Sequence, residues 1–214
     1  AKVRITIESD EVIRDGRLHD YIFELPLVGE FNLSNAIAAF SSVKCLGFSD
    51  DQIIPNLARL SPPLGRMQKL ENNNIWIDYA HTPDALYNAL STLRTHYTES
   101  KIRVIFGCGG DRDKGKRQIM GKIAIENADS IILTNDNPRG EDPQKIIDDI
   151  LAGTKVESDV QVILDRGDAI LSAIQNLGEE EVLLIAGKGH ETTQVIGSKT
   201  LKFSDIEAAL NALN

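Results

Sequence analysis

The sequence predicts an α/β protein, a mostly parallel sheet with flanking helices on both sides, preceded by a shorter segment of different rhythm. Two observations carry this. After residue 63, short apolar runs rich in Ile and Val alternate with amphipathic stretches, the strand and helix repeat of a parallel sheet covered on both faces. The most Pro- and Gly-rich stretch, Ser61-Pro62-Pro63-Leu64-Gly65, marks a stiff, turn-prone boundary between residues 1–62 and 63–214.

Before the boundary, residues 3–7 alternate as a strand, Arg14-Asp15-Gly16-Arg17 reads as a turn, and residues 21–25 alternate again. A helix is expected over 32–46, where Leu33, Ala36, Ile37, Phe40 and Val43 recur at helical spacing before Gly47. A second should run from Ser49 as N-cap to about residue 60. After the boundary, strands are expected at 75–77, 102–106, 130–133, 160–164 and 182–186, each too short for a helix. The intervening helices fall at about 84–97, 115–128, 143–152 and 166–177. Residues 192–196 and 199–203 read as added edge strands, and 205–213 as a closing helix.

The 214 residues carry a net charge of −9, with 42% hydrophobic and 26% charged positions, enough apolar content for a sizeable core. No apolar run approaches the roughly 18 residues that cross a bilayer, and the alternating, charged start does not read as a secretory signal. A cytoplasmic protein without a membrane span is expected. Cys45 and Cys108 make neither a disulfide framework nor a metal-ligand spacing. The acidic balance disfavours nucleic acid as a partner.

In open α/β sheets ligands gather at the carboxyl ends of the strands, so the residues after each apolar run matter most. The first run is followed by Asp78-Tyr79-Ala80-His81-Thr82-Pro83. Asp78 can accept from a ribose hydroxyl and His81 can stack on a base; equally, Asp78 ends a strand and Thr82 caps a helix with Pro83 at its first position. Next comes Gly107-Cys108-Gly109-Gly110, leading to Arg112, Lys114, Lys116 and Arg117. Glycines let backbone amides approach a ligand, and a local excess of cations in an acidic chain is informative. The spacing is neither a P-loop nor the dinucleotide-binding glycine fingerprint. The plainer alternative is a solvated turn before a helix, although the helix dipole disfavours cations there.

The third loop, Thr134-Asn135-Asp136-Asn137-Pro138-Arg139-Gly140, offers at Arg139 a planar fork suited to a carboxylate. An Asx-Pro turn accounts for its prolines but not for Arg139. In the fourth, Ala186-Gly187-Lys188-Gly189-His190-Glu191, small residues bring main chain close to a ligand and Glu191 can hold an ammonium group; a tight turn between strands is the alternative. Anion-binding Arg and Lys beside a cation-binding Glu suit an amino acid better than a dinucleotide.

The strings GEFNLSNAIAA, GRM, DYAHTPDAL, FGCGGDRDKGKR, TNDNPRGEDP and AGKGHE, in this order and over nearly the whole chain, resemble the Mur ligase family. The resemblance implies a Rossmann-like carboxyl-terminal domain at 63–214 that brings the amino acid, and the tail of an α/β central ATPase domain at 1–62. It implies ATP-dependent amide ligation in peptidoglycan synthesis, hence a role in cell-wall formation, cell shape and division. ATP phosphorylates the D-glutamyl carboxylate of UDP-MurNAc-L-Ala-D-Glu, an amino acid attacks the acyl phosphate, and Mg²⁺ offsets the charge of the transferring group.

Carried over by position, Arg112, Asp136, Asn137, Pro138, Arg139, Gly187 and Glu191 match the family's amino-acid site. Arg112 and Arg139 would hold carboxylates and Glu191 an ammonium. Family members with DNPR add meso-diaminopimelate, whose second carboxylate needs a cation. Asn35, Arg66 and Asp78 match nucleotide contacts to adenine, phosphate and ribose, with His81 assisting.

The chain contains no Gly-x-x-Gly-Lys-Thr/Ser, and the family's carbamylated lysine and UDP-sugar domain have no counterpart. The phosphoryl-transfer residues and Mg²⁺ ligands are therefore expected upstream of Ala1, with no catalytic or metal-binding residue in this stretch. Alone, the chain is expected to be a monomeric fragment without turnover. Two alternatives remain: a lysine-adding relative, and a binding module that captures an amino acid or nucleotide without catalysis.

Overall fold

The structure is a computed structural model that describes residues 7–8, 13–18, 21–70, 72–154 and 159–214. The chain divides into two units, Ala1–Pro62 and Pro63–Asn214. In the first, β1 (Ile7–Glu8), β2 (Ile13–Leu18) and β3 (Tyr21–Leu25) form an antiparallel sheet in that order. The turn expected at Arg14-Asp15-Gly16-Arg17 is not one. These residues sit inside β2, where Asp15 faces Glu24 and Gly16 faces Phe23 across the ladder. Asp-Gly favours a turn only where no neighbouring strand takes up the backbone groups. Of the expected strand at 3–7, all but Ile7 lies outside the described residues.

Helix α1 (Glu30–Cys45) starts earlier than the apolar spacing suggests, because Gly29, at φ 97°, turns the chain into it. Its Leu33, Ala36 and Phe40 pack with Leu25, Leu27, Ile53, Ile54 and Leu57 into one core. Helix α2 (Asp50–Leu57) is held at its start by a reciprocal box between Ser49 and Gln52. It ends at Leu57 rather than near residue 60, short of the Ser61-Pro62-Pro63 stretch that cannot propagate a helix.

The second unit is built on six strands: β4 (Gln68–Lys69), β5 (Ile75–Asp78), β6 (Lys101–Phe106), β7 (Ser130–Leu133), β8 (Val160–Val162) and β9 (Glu181–Ala186). Their order is β4-β5-β9-β6-β7-β8, parallel throughout except for β4, a short antiparallel edge that periodicity did not reveal. Strand β9 inserts between β5 and β6, so Ile185 pairs with both Ile77 and Ile105. Those central residues are fully buried, whereas β8 stops at Val162 and stays mostly exposed at the other edge.

The connecting helices are α3 (Pro83–His96), α4 (Gly115–Asn127), α5 (Pro143–Leu151) and α6 (Arg166–Gln175), followed by α7 (Asp205–Ala212). Local chemistry fixes their starts. Thr82, Asp142 and Asp165 accept from backbone amides inside the first turns, and Pro83 and Pro143 supply the preset φ. On one face, Ile77, Ile105, Ile132, Leu183 and Ile185 pack with Ala169, Ile170 and Ala173 of α6 and Ala209 of α7.

The last two strands correct the expectation. β10 (Thr193–Ile196) and β11 (Lys199–Lys202) do not extend the main sheet but form a two-stranded hairpin of their own, closed at Gly197 with φ 58°. The edge beyond β5 is taken by β4, and β10 is occupied by the loop after β7.

Candidate functional site

The loops after β5, β6, β7 and β9 leave the same end of the sheet because those strands are parallel. They enclose a cleft of about 450 Å³ lined by Tyr79, His81 and Thr82, by Gly107, Gly109, Arg112, Asp113 and Lys116, by Asp136, Asn137 and Arg139, and by Gly187 and Glu191. Basic and acidic side chains share one opening.

Glycine allows the loops to approach one another. A Cβ on Gly107 would lie 2.0 Å from Thr134 O, and one on Gly110 would lie 1.9 Å from Pro138 O. These glycines therefore admit a neighbouring loop as well as any ligand. Gly110 N donates to Asn137 O at 2.9 Å, locking the contact. Pro138 faces this seam and does not line the cleft.

Arg139 sits in the left-handed region at φ 50°. Its Nη1 donates to Gly110 O at 2.9 Å and to Asn137 O at 3.4 Å. Nε and Nη2 have no partner among the described residues, so one edge of the fork remains for a ligand. Arg112 is exposed and donates through Nη1 to Asp111 O. Lys116 Nζ reaches His81 O at 2.6 Å and ties the first loop to the second.

Glu191 already has a cation beside it. Lys188, fully buried, donates from Nζ to Glu191 Oε2 at 2.8 Å and to Asn137 Oδ1 at 3.2 Å. Asn137 Nδ2 also donates to Glu191 Oε2, at 3.1 Å, and its Oδ1 accepts from Val195 N. Asn137 is thus committed to holding loops together through its side chain. Burial raises the Glu191 pKa, but the hydrogen bond and charge of Lys188, with Asn137 and Arg139, outweigh it and hold the carboxyl below its usual range. Glu191 is an anion at neutral pH with Oε1 uncommitted among the described residues. Asp136 is buried, with Oδ2 3.0 Å from the position a Cβ on Gly187 would take.

The cation-rich sequence after Gly110 resolves into two roles. Arg112 and Lys116 face the cleft, but Arg117 is fully buried. Its Nη groups donate to both Glu141 oxygens at 2.9 and 3.0 Å, to Asp149 at 2.9 Å and to Gly109 O at 3.2 Å. Glu141 also accepts from Asp111 N at 2.6 Å and pairs with Lys114 at 3.2 Å. Chiefly through the Arg117 hydrogen bond, the Glu141 carboxyl is held down at about 2. A depressed carboxyl pKa stabilises the fold above the ordinary value near 4.5 and loses that contribution as pH falls toward 2. In acid titrations followed by thermal melting, Glu141→Gln should flatten the loss of stability across that window; an unchanged profile would contradict the assignment.

A third buried cation, after Lys188 and Arg117, escaped the sequence reading. Arg166, at the first position of α6, donates from Nε to Asp205 Oδ1 at 2.7 Å and from Nη2 to Asp205 Oδ2 at 2.8 Å. It also binds Ala186 O at 2.9 Å and Asn135 O at 3.3 Å, the carbonyls that open the fourth and third loops. An Arg at the positive end of a helix, where the dipole opposes it, was the available signal.

The residues expected to contact a nucleotide fall in both units. Asp78 is buried outside the cleft lining, and its Oδ2 accepts from Met67 N at 2.7 Å, with Met67 at φ 41°. Burial, the largest influence, raises its pKa. Arg66 is exposed with Cζ 4.5 Å from the Tyr79 ring centre; that ring lies 4.4 Å from His81 and 5.0 Å from His190. Asn35 is exposed on α1 in the first unit, its amide donating to Asn32 Oδ1 at 3.4 Å. Among the described residues no three metal-ligating side chains cluster, and no helix is long and apolar enough to cross a membrane.

A parallel sheet with an amphoteric cleft at its carboxyl end matches the family model described as Mur ligase, glutamate ligase domain, over residues 65–189, and the chain belongs to the Mur ligase family. Among curated relatives, the protein from Rickettsia conorii named UDP-N-acetylmuramoyl-L-alanyl-D-glutamate–2,6-diaminopimelate ligase is 47% identical, over 88% of this chain and 39% of its own. The protein of the same name from Vibrio vulnificus is 44% identical, over 100% of this chain and 43% of its own. A solved structure of a ligase with that name aligns at a TM-score of 0.71 and 34% identity, covering 99% of this chain and 44% of that one. A folylpolyglutamate synthase from Thermotoga maritima shares the fold at a TM-score of 0.62 and 23% identity. The chain spans about two-fifths of the length of the curated relatives it matches.

Proposed function

We propose that this chain is the carboxyl-terminal portion of an ATP-dependent ligase that adds meso-diaminopimelate to UDP-MurNAc-L-Ala-D-Glu in peptidoglycan synthesis in the cytoplasm. Residues 1–62 are the tail of the central ATPase domain and 63–214 the domain that delivers the amino acid. One observation carries the reading: Arg139 is anchored through Nη1 alone, leaving the rest of its fork free in a cleft that also holds Arg112 and the ionised Glu191. A diamino dicarboxylic acid has the charges to match both signs.

In the reaction, the D-glutamyl γ-carboxylate takes the terminal phosphoryl group of ATP. The amine of diaminopimelate attacks the acyl carbon; a C–N bond forms, the C–O bond to phosphate breaks, and the amine loses a proton. The residues of this chain orient the nucleophile. Arg112 and Arg139 hold its carboxylates, and Glu191 with Asp136 holds the ammonium that does not react, so the reacting amine meets the acyl phosphate in one orientation. Pro138 and Asn137 shape the loop, and Gly187 keeps the floor open. Asn35, Arg66, Asp78 and His81 are assigned to the nucleotide, with the exposed Arg66 guanidinium taking its phosphate. With Arg112, Lys116 and Arg139 set against Asp113, Asp136 and Glu191, the cleft lacks the excess of carboxylates that a resident Mg²⁺ calls for.

In an amide-forming assay the full-length ligase should use meso-diaminopimelate at least about 30-fold better than lysine, the discrimination a charge left unpaired in a partly buried site provides. The 214-residue chain alone should form no product. Equal use of both amino acids would favour the lysine-adding alternative, and turnover by the chain alone would refute the assignment of phosphoryl transfer to upstream residues.

A further inference from the structure

The β10–β11 hairpin contributes no residue to the cleft lining, yet β10 is bonded along its free edge to the loop that carries Arg139. Arg139 N donates to Val195 O at 3.0 Å, and Gly197 N donates to Arg139 O at 2.7 Å. Val195 N donates to Asn137 Oδ1 at 2.9 Å, and Gln194 Nε2 donates to Asp136 O at 2.8 Å. Both peptide groups of Arg139 are therefore held by the hairpin while its own φ is 50°. A non-glycine residue keeps that conformation only where its surroundings over-determine it. Gln194 is the one side chain of the hairpin that reaches the loop among the described residues, and it is 7% exposed.

We infer that the β10–β11 hairpin is a brace that sets the direction of the Arg139 fork, with Gln194 as a positioning residue for recognition of the ligand's second carboxylate. The inference rests on the reading of the cleft as a diamino dicarboxylate site. Replacing Gln194 by Met keeps side-chain volume and strand propensity but leaves Asp136 O buried without its donor. The loop must then open toward water, and the Arg139 fork moves with it.

The test uses full-length ligase with Gln194→Met, and Thr193→Ala as a control on an exposed position of the same strand. Hydrogen exchange over residues 136–140 should quicken about tenfold in Gln194→Met, the effect of one buried hydrogen bond. The KM for meso-diaminopimelate should rise by a similar factor, while kcat, the KM for ATP and use of lysine stay near the parent values. Thr193→Ala should change none of these. A general loss of folding would instead move every parameter. Unchanged exchange over 136–140, or an unchanged preference for meso-diaminopimelate in a variant whose parent discriminates, overturns the inference. A parent that does not discriminate refutes the reading of the site instead, and the exchange rates alone then decide whether the hairpin braces the loop.

Discussion

Arg139→Ala in the full-length ligase should lower kcat/KM for meso-diaminopimelate by about 30-fold or more, the cost of about 2 kcal/mol or above expected when one partner of a desolvated charge pair is removed. Use of lysine, which has no second carboxylate, should be almost untouched. Arg139→Lys separates charge from shape: it keeps a cation but not the fork, and one ammonium cannot both hold Gly110 O and face a carboxylate squarely. Because Arg139 is at φ 50°, alanine inherits the backbone strain that arginine bears. Arg139→Gly removes the guanidinium and the strain together. If the glycine variant is as stable as the parent and still loses the diaminopimelate preference, the loss belongs to recognition. Retained preference in both variants would eliminate Arg139 as the discriminating residue.

Arg166→Met should be the most destabilising single change in the second unit, by about 3–5 kcal/mol, because it strands the fully buried Asp205 carboxylate without its partner. For a unit of this size that is a fall in melting temperature on the order of 10 °C. Two carbonyls, Asn135 O and Ala186 O, lose a donor at the same time. Arg166→Met combined with Asp205→Leu should recover much of the loss, since the exchange of a buried pair for apolar side chains of similar volume is often neutral. Denaturant titration of the three proteins decides it. A loss below about 1 kcal/mol for the single variant would mean that the pair is solvated and structurally minor.

The second unit was legible in outline because its central strands are continuous Ile, Leu and Val runs and its helices begin at Thr82-Pro83, Asp142-Pro143 and Asp165. These are local signals, and the local structure obeys them. The cleft was legible as a set of loops, since parallel strands must place their carboxyl ends together. What a given polar side chain does inside those loops was not legible. Arg112 and Arg117 are five positions apart in one basic run, yet one is exposed and the other is sealed between Glu141 and Asp149. Lys188 bonds Glu191 and Asn137, and Asn137 bonds Glu191 and the hairpin, partners that no spacing in the sequence encodes. Asp78 accepts from Met67 N, a contact that no spacing in the sequence encodes. The hairpin was misplaced at the sheet edge because alternation reveals a strand but not its neighbour, and the loop after β7 offered it backbone groups that no periodicity encodes.

The insertion of β9 between β5 and β6 has a consequence for synthesis. As the chain leaves the ribosome, β5 and β6 emerge long before the strand that separates them, and each must wait with an open edge until Val182, Leu183 and Leu184 arrive. Pairing over such sequence distances is slow, and an unpaired apolar edge is vulnerable meanwhile. The cleft cannot be complete in any nascent chain that ends before Glu191, because Gly187 and Glu191 follow the last strand to join the main sheet. A premature stop between Thr192 and Asp205 would spare every loop of the site in sequence and still remove Asp205, the counter-charge beneath two of them.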